Sequence, residues 1–173
     1  HPYQATRIYV GDTNAGNSSS LTDGFDFNVD AIAWDGNRGL WLQFDDYGKT
    51  RLGWISVNGG KVERIADDLG GTEVGRPYTS ASFSAAGGRV AYTQGGMYSL
   101  ANLAVTERSG KSRNLTDLDS NLLDQLTLGK MEEITVKSSA DGREIQAWIV
   151  RPQNFDPNKK YPLLLEIHGG PFA

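Results

Sequence analysis

Short runs of alternating apolar and polar residues, broken by Gly-, Asn- and Asp-rich turns, fill the first two thirds of this chain. Period-two alternation recurs in "TRIYV", "GLWLQFDD", "TRLGWISV", "KVERIA", "RVAYT" and "NLAVTE". Turns such as "DGNRG", "VNGGK", "AAGGR" and "RSGKS" separate them, and no amphipathic helix of ordinary length occurs before residue 120. Alternation at this period is the mark of β-strands, and its spacing suits a sandwich or a propeller.

The strands also repeat. Ile32 to Asp46 parallels Ala81 to Gly95, and Ile55 to Asp67 parallels Val105 to Asp117, with Trp34 falling on Phe83 and Ile65 on Leu115. Each unit holds four strands and closes on "IAD" or "LTD", the content of a propeller blade of roughly 40–50 residues. "RIYVGD" and "SSSLTD" read as the third and fourth strands of an earlier blade, so the sequence holds about two and a half blades where a ring needs roughly four to eight. Unclosed blades leave strand edges and an apolar face open, so the remainder of a polypeptide is expected to complete the ring.

Beyond Thr116 the pattern changes. "DLDSNLLDQLTLGKMEE" predicts a linker with a helical turn capped by Ser120 or Asn121 and an apolar face of Leu122, Leu123 and Leu126. A hairpin follows, Glu132 to Ser138 and Glu144 to Arg151, around Asp141-Gly142, a strong turn dipeptide. After the Pro-punctuated "RPQNFDPNKKYP", the run Leu163-Leu164-Leu165-Glu166-Ile167 predicts a strand buried on both faces of a sheet. The division expected is propeller blades over 1–119, a linker over 120–131 and the first strands of an α/β domain over 132–173. The fold class is thus mainly β, a partial propeller leading into an α/β sheet.

Composition excludes several classes. The 173 residues carry a net charge of −4 without a Lys/Arg-rich run, which argues against nucleic-acid or anionic-membrane partners. There is no cysteine, hence no disulfide scaffold, thiolate metal site or cysteine nucleophile. No apolar stretch approaches 18 residues, so a soluble protein, cytoplasmic or periplasmic, is expected. The absent initiator Met favours a missing N-terminus. Asp12, Asn14 and Gly16 faintly echo a calcium loop but lack the closing Glu, and a blade turn is the better reading. No cofactor or metal is therefore expected. Asp45-Asp46 and Asp67-Asp68 are read as solvated turn acids, and Trp34, Trp41, Trp54 and Trp148 as packing residues.

Four features in order, Asp141-Gly142, Arg151-Pro152, Tyr161-Pro162 and His168-Gly169-Gly170-Pro171, resemble the start of the catalytic domain in the prolyl oligopeptidase family of serine peptidases, in its acylaminoacyl-peptidase and dipeptidyl-peptidase branch. A propeller before an α/β-hydrolase domain is also that family's layout. The resemblance implies hydrolysis of short peptides through an acyl-enzyme. It places "HGGP" in the loop whose backbone N–H groups face the oxyanion. Gly170 is the candidate N–H donor, Gly169 shapes the turn, and His168 shapes the loop without acting as general base, because the triad order of this fold is serine, acid, histidine. No Gly-x-Ser-x-Gly occurs. The triad is therefore expected outside this chain, which by itself should be inactive. The alternatives are a noncatalytic propeller that binds a partner and an esterase of the same fold; homo-oligomerisation is left open.

Overall fold

The alternating runs pair as antiparallel ladders. A computed structural model describes residues 5–14, 16–73 and 80–167. The chain divides into two units, one from Ala5 to Gln125 and one from Leu126 onward, the break falling inside the segment read as a linker.

In the first unit, β1 (Tyr9–Gly11) pairs with β2 (Ser18–Ser20). Next comes a four-stranded meander of β3 (Val29–Asp35), β4 (Gly39–Asp46), β5 (Lys49–Ser56) and β6 (Glu63–Leu69). A second meander holds β7 (Phe83–Ala86), β8 (Arg89–Gly96), β9 (Ser99–Glu107) and β10 (Arg113–Asn114). One ladder bridge, Leu69 to Gln94, joins the meanders. These are two blades of a partial propeller, preceded by the outer strand pair of another.

Blades stacked face to face bury both sides of their central strands, and β4 shows the result. Leu40, Leu42 and Phe44, with Ile55 of β5, meet Ile8 and Leu21 on one side. The Phe25 ring stands edge-on to Phe44 at 4.8 Å. On the other side Trp41, Leu52, Trp54 and Leu69 meet Val90, Tyr92 and Ala104 of the next layer. The packing expectation for tryptophan thus holds at Trp41 and Trp54. Trp34, 57 % exposed, and Trp148, 37 % exposed, are not core residues.

The recurrent "LTD" acquires a physical meaning. Leu21 N donates to Ile8 O at 2.8 Å while Thr22 Oγ1 accepts from Ile8 N at 3.0 Å. Leu115 N donates to Leu103 O at 2.7 Å while Thr116 Oγ1 accepts from Leu103 N at 2.8 Å. In both places the threonine hydroxyl substitutes for a ladder carbonyl where the fourth strand leaves the sheet, and so satisfies a backbone N–H that the ladder abandons. Ala66, at the same place in the first blade, has no hydroxyl, and β6 runs on to Leu69.

Two acids depart from the expected solvated turns. Asp46 is 2 % exposed and lies 3.0 Å from Arg51 and 2.6 Å from Arg64. Asp68 accepts from Tyr92 Oη at 3.0 Å and Gln94 Nε2 at 2.6 Å. Asp45 stays exposed, as expected of a turn acid, and accepts from Thr50 Oγ1 at 2.6 Å. Turn acids lie close to strand ends, and where blades stack those ends are covered, so the carboxylates need partners. Burial, reinforced by the Asp68 carboxylate against a partial offset from Ser112, pushes the Tyr92 phenol up to about 12. The folded chain thus favours neutral Tyr92. This contribution to stability is whole below pH 10 and declines as pH rises through about 12. Urea unfolding followed across that window is expected to fall more shallowly in Tyr92→Phe than in the parent chain; parallel curves would remove Tyr92 from the alkaline transition.

The expected helix is the single turn α1 (Ser120–Leu123), but its N-cap residue is Asp119, not Ser120 or Asn121, and the Asp119 side chain does not cap it. Its carboxylate, 6 % exposed, instead accepts from Leu100 N at 2.6 Å and Asn102 Nδ2 at 2.7 Å. Asn102 Oδ1 in turn accepts from Thr116 Oγ1 at 3.0 Å and Leu118 N at 2.8 Å. A buried carboxylate with two donors in a β-strand has more to lose than one donor at a frayed helix end. Leu122 and Leu126 are half exposed, so no apolar helix face is buried.

In the second unit β11 (Lys130–Lys137) and β12 (Glu144–Arg151) form the expected hairpin in unbroken register, starting two residues earlier than read from sequence. Gly142 takes φ +72° in its turn, the region glycine enters without steric cost. The strand predicted at 163–167 is not formed. Leu163, Leu164, Leu165 and Ile167 are 85, 95, 78 and 80 % exposed. A strand buried on both faces takes its hydrogen bonds and apolar neighbours from strands on either side, and among the described residues none pairs with this run.

Candidate functional site

The residues chosen from sequence, His168, Gly169 and Gly170, lie outside the described residues. What the structure does describe is the segment that leads to them. Arg151 ends β12 with its guanidinium 2.6 Å from the Glu132 carboxylate and 4.8 Å above the Phe155 ring. Phe155 stacks on Tyr161 at 5.1 Å with 30° between the rings. Tyr161 Oη accepts from Asp156 N at 3.0 Å, and the Asp156 carboxylate accepts from Asn158 N at 2.9 Å. The Gln153 side-chain amide donates to the Thr127 carbonyl. Guanidinium, two rings and a turn carboxylate thus tie "RPQNFDPNKKYP" into a closed loop.

Arg151-Pro152 and Tyr161-Pro162 were independent marks in the sequence; in the structure they face one concavity of about 580 Å³, with Gly129, Val150, Gln153 and Leu164 completing its wall. Each proline holds φ near −65° and withholds a donor, and biases the residue before it toward extended backbone. The chain beyond Pro162 therefore leaves the loop in a direction set by covalent geometry and ring packing.

In the first unit, burial, then the Asp45 charge, raises Asp30, and the hydrogen bond from Arg108 lowers Glu63. Among the described residues no cluster of three His, Cys, Asp or Glu could hold a metal. Asp12 instead closes a turn, its N–H donating to Asn17 O at 3.2 Å. Sequence reasoning missed the Arg151–Phe155–Tyr161 stack; its only signal was the spacing of aromatic residues inside a polar loop.

No protein-family model matches the chain. A dipeptidyl-peptidase 5 from Porphyromonas gingivalis is 30 % identical over 168 residues, covering 95 % of this chain and 23 % of that protein. A probable dipeptidyl-peptidase 5 from Emericella nidulans is 25 % identical over 174 residues, 98 % of this chain and 24 % of that protein. The chain thus spans about a quarter of the length of these relatives. Among solved structures, Pyrococcus horikoshii acylaminoacyl peptidase superposes with TM-score 0.66 at 20 % identity, over 87 % of this chain and 22 % of that one. Porphyromonas gingivalis dipeptidyl peptidase 4 gives 0.64 at 19 % identity, over 90 % and 22 %.

Proposed function

Since the chain is a segment of the prolyl oligopeptidase family, as its dipeptidyl-peptidase 5 relatives attest, we propose that it supplies the propeller-to-hydrolase junction of a serine exopeptidase that releases dipeptides from short peptides. The observation that carries this reading is the alignment of 95 % of the chain with a dipeptidyl-peptidase 5. The four ordered motifs ending in "HGGP" support it. In this reading residues 1–119 are the last blades of the propeller, 120–131 the linker and 132–173 the opening strands of the hydrolase domain. The blades narrow access to the site so that only short peptides enter.

The chemistry follows from the fold. A serine elsewhere in the polypeptide attacks the scissile carbonyl, its proton passing to a histidine; the carbonyl oxygen becomes an oxyanion, stabilised by the N–H after the serine and by that of Gly170. Collapse expels the peptide amine, which takes the proton from the histidine, and water hydrolyses the ester. Gly169 and Gly170 admit the carbonyl because they carry no Cβ. Arg151, Phe155 and Tyr161 position the segment that leads to them.

The polypeptide of natural length is expected to take up one fluorophosphonate equivalent on serine and to release dipeptides faster than acyl-amino acids from matched substrates. The 173-residue chain should remain unlabelled. An unlabelled natural-length polypeptide would favour the noncatalytic propeller, and a preference for acyl-amino acids would move the assignment to the acylaminoacyl branch.

A further inference from the structure

One contact of the second blade with the first is a charged socket. Arg108, at the end of β9, lies 3.4 Å from the centroid of the Trp54 ring and donates to Glu63 from Nε at 2.9 Å and from Nη2 at 2.5 Å. Trp54 Nε1 donates to Asp35 at 3.1 Å, fixing the ring that receives the guanidinium.

Ladder registers map this socket onto the second blade. Gly39 opposite Ser56 corresponds to Arg89 opposite Glu107. Trp41 opposite Trp54 corresponds to Ala91 opposite Val105. Trp54 opposite Glu63 corresponds to Val105 opposite Arg113. Val90, Tyr92 and Ala104 face the first blade. Strand alternation therefore turns Arg89, Ala91, Val105 and Arg113 to the opposite side. There the equivalent socket is a concavity of about 240 Å³ lined by Arg89, Val105, Thr106, Glu107, Lys111 and Arg113.

Four replacements change its character. Valine in place of the indole leaves room, and arginine in place of Glu63 reverses the charge. Arg89 adds a second cation where the first blade has Gly39, Glu107 puts one carboxylate in the wall where the first blade has Ser56, and Lys111 stands where Lys61 does. None of Arg89, Lys111 and Arg113 has an ion-pair partner among the described residues. Leu103, on the same side, is 45 % exposed, so the face combines an apolar strip with a cationic pocket. A free anion would use only the pocket, whereas a sheet presenting a carboxylate uses both.

We propose that this face of the second blade docks a further propeller blade, and that its socket receives an aspartate or glutamate from that blade's turn, a charge-reversed counterpart of the Arg108–Glu63 contact. The proposal rests on the reading of the chain as part of a longer propeller peptidase. A carbodiimide links an amine to a carboxylate in direct contact, so Lys111 reports the occupant. In the natural-length polypeptide the expected product is an intramolecular amide between Lys111 and an acidic residue of another blade, lost in Lys111→Arg. Arg113→Glu is expected to lower its Tm by roughly 3–8 °C while moving that of the 173-residue chain by less than about 1 °C. Coupling only to Glu107, coupling to a second copy, no coupling, or equal Tm shifts in both chains would each overturn the proposal. Fluorophosphonate labelling of the same sample separates the two readings. Labelling without the amide leaves the peptidase standing and removes the docking face; the amide without labelling does the reverse.

Discussion

Trp41→Ala is expected to destabilise the blade unit by about 3–5 kcal/mol, the range for truncating a buried large aromatic side chain. Trp41 is fully buried, in the layer shared by Leu52 and Trp54 on one blade and Val90, Tyr92 and Ala104 on the next. Alanine would open a void in this layer, and neither sheet can close the gap alone, because a ladder bridge, the Asp68 hydrogen bonds from Tyr92 and Gln94 and the Arg108 contact hold them in register. The midpoint of thermal unfolding by circular dichroism should fall by roughly 6–20 °C, and Trp41→Phe should recover more than half of that loss. A fall under about 2 °C would show that the blades do not share this layer.

The second large effect is catalytic. Gly170→Pro in the natural-length polypeptide removes the backbone N–H proposed to meet the oxyanion and is expected to lower kcat by about 10²–10³ with KM nearly unchanged. The split matters, since a misplaced substrate would raise KM, whereas a donor used only in the transition state lowers kcat. Unchanged kcat would exclude Gly170 as the donor. Equal losses in kcat and in thermal stability would mark the loop as structural.

Much of the fold was legible because its strands obey local rules. Period-two alternation located the strands of both blades, and glycine-bearing turns marked the first hairpin of each blade and the hairpin of the second unit. The blade repeat was legible through "LTD", whose threonine performs one hydrogen-bonding task at Thr22 and Thr116. The candidate loop was legible only through motif order. The run 163–167 shows the limit of such reading: four apolar residues specify what a strand would bury, but a ladder needs partners that the run does not carry.

Sequence by itself determined the elements: where chains extend, where glycine lets them turn, and that the units repeat as blades. Tertiary structure decided which faces meet, and with that the fate of every charge between them. Asp46 is a solvated turn acid until stacking covers it between Arg51 and Arg64. Asp119 stands at the N-cap position of α1, yet Leu100 and Asn102 claim its oxygens. Arg108 and Glu63, 45 residues apart, become partners only when two blades are in register over Trp54. Local conformation depends on neighbours along the chain, which a sequence displays. Burial and charge pairing depend on neighbours in space, which only the stacked sheets create.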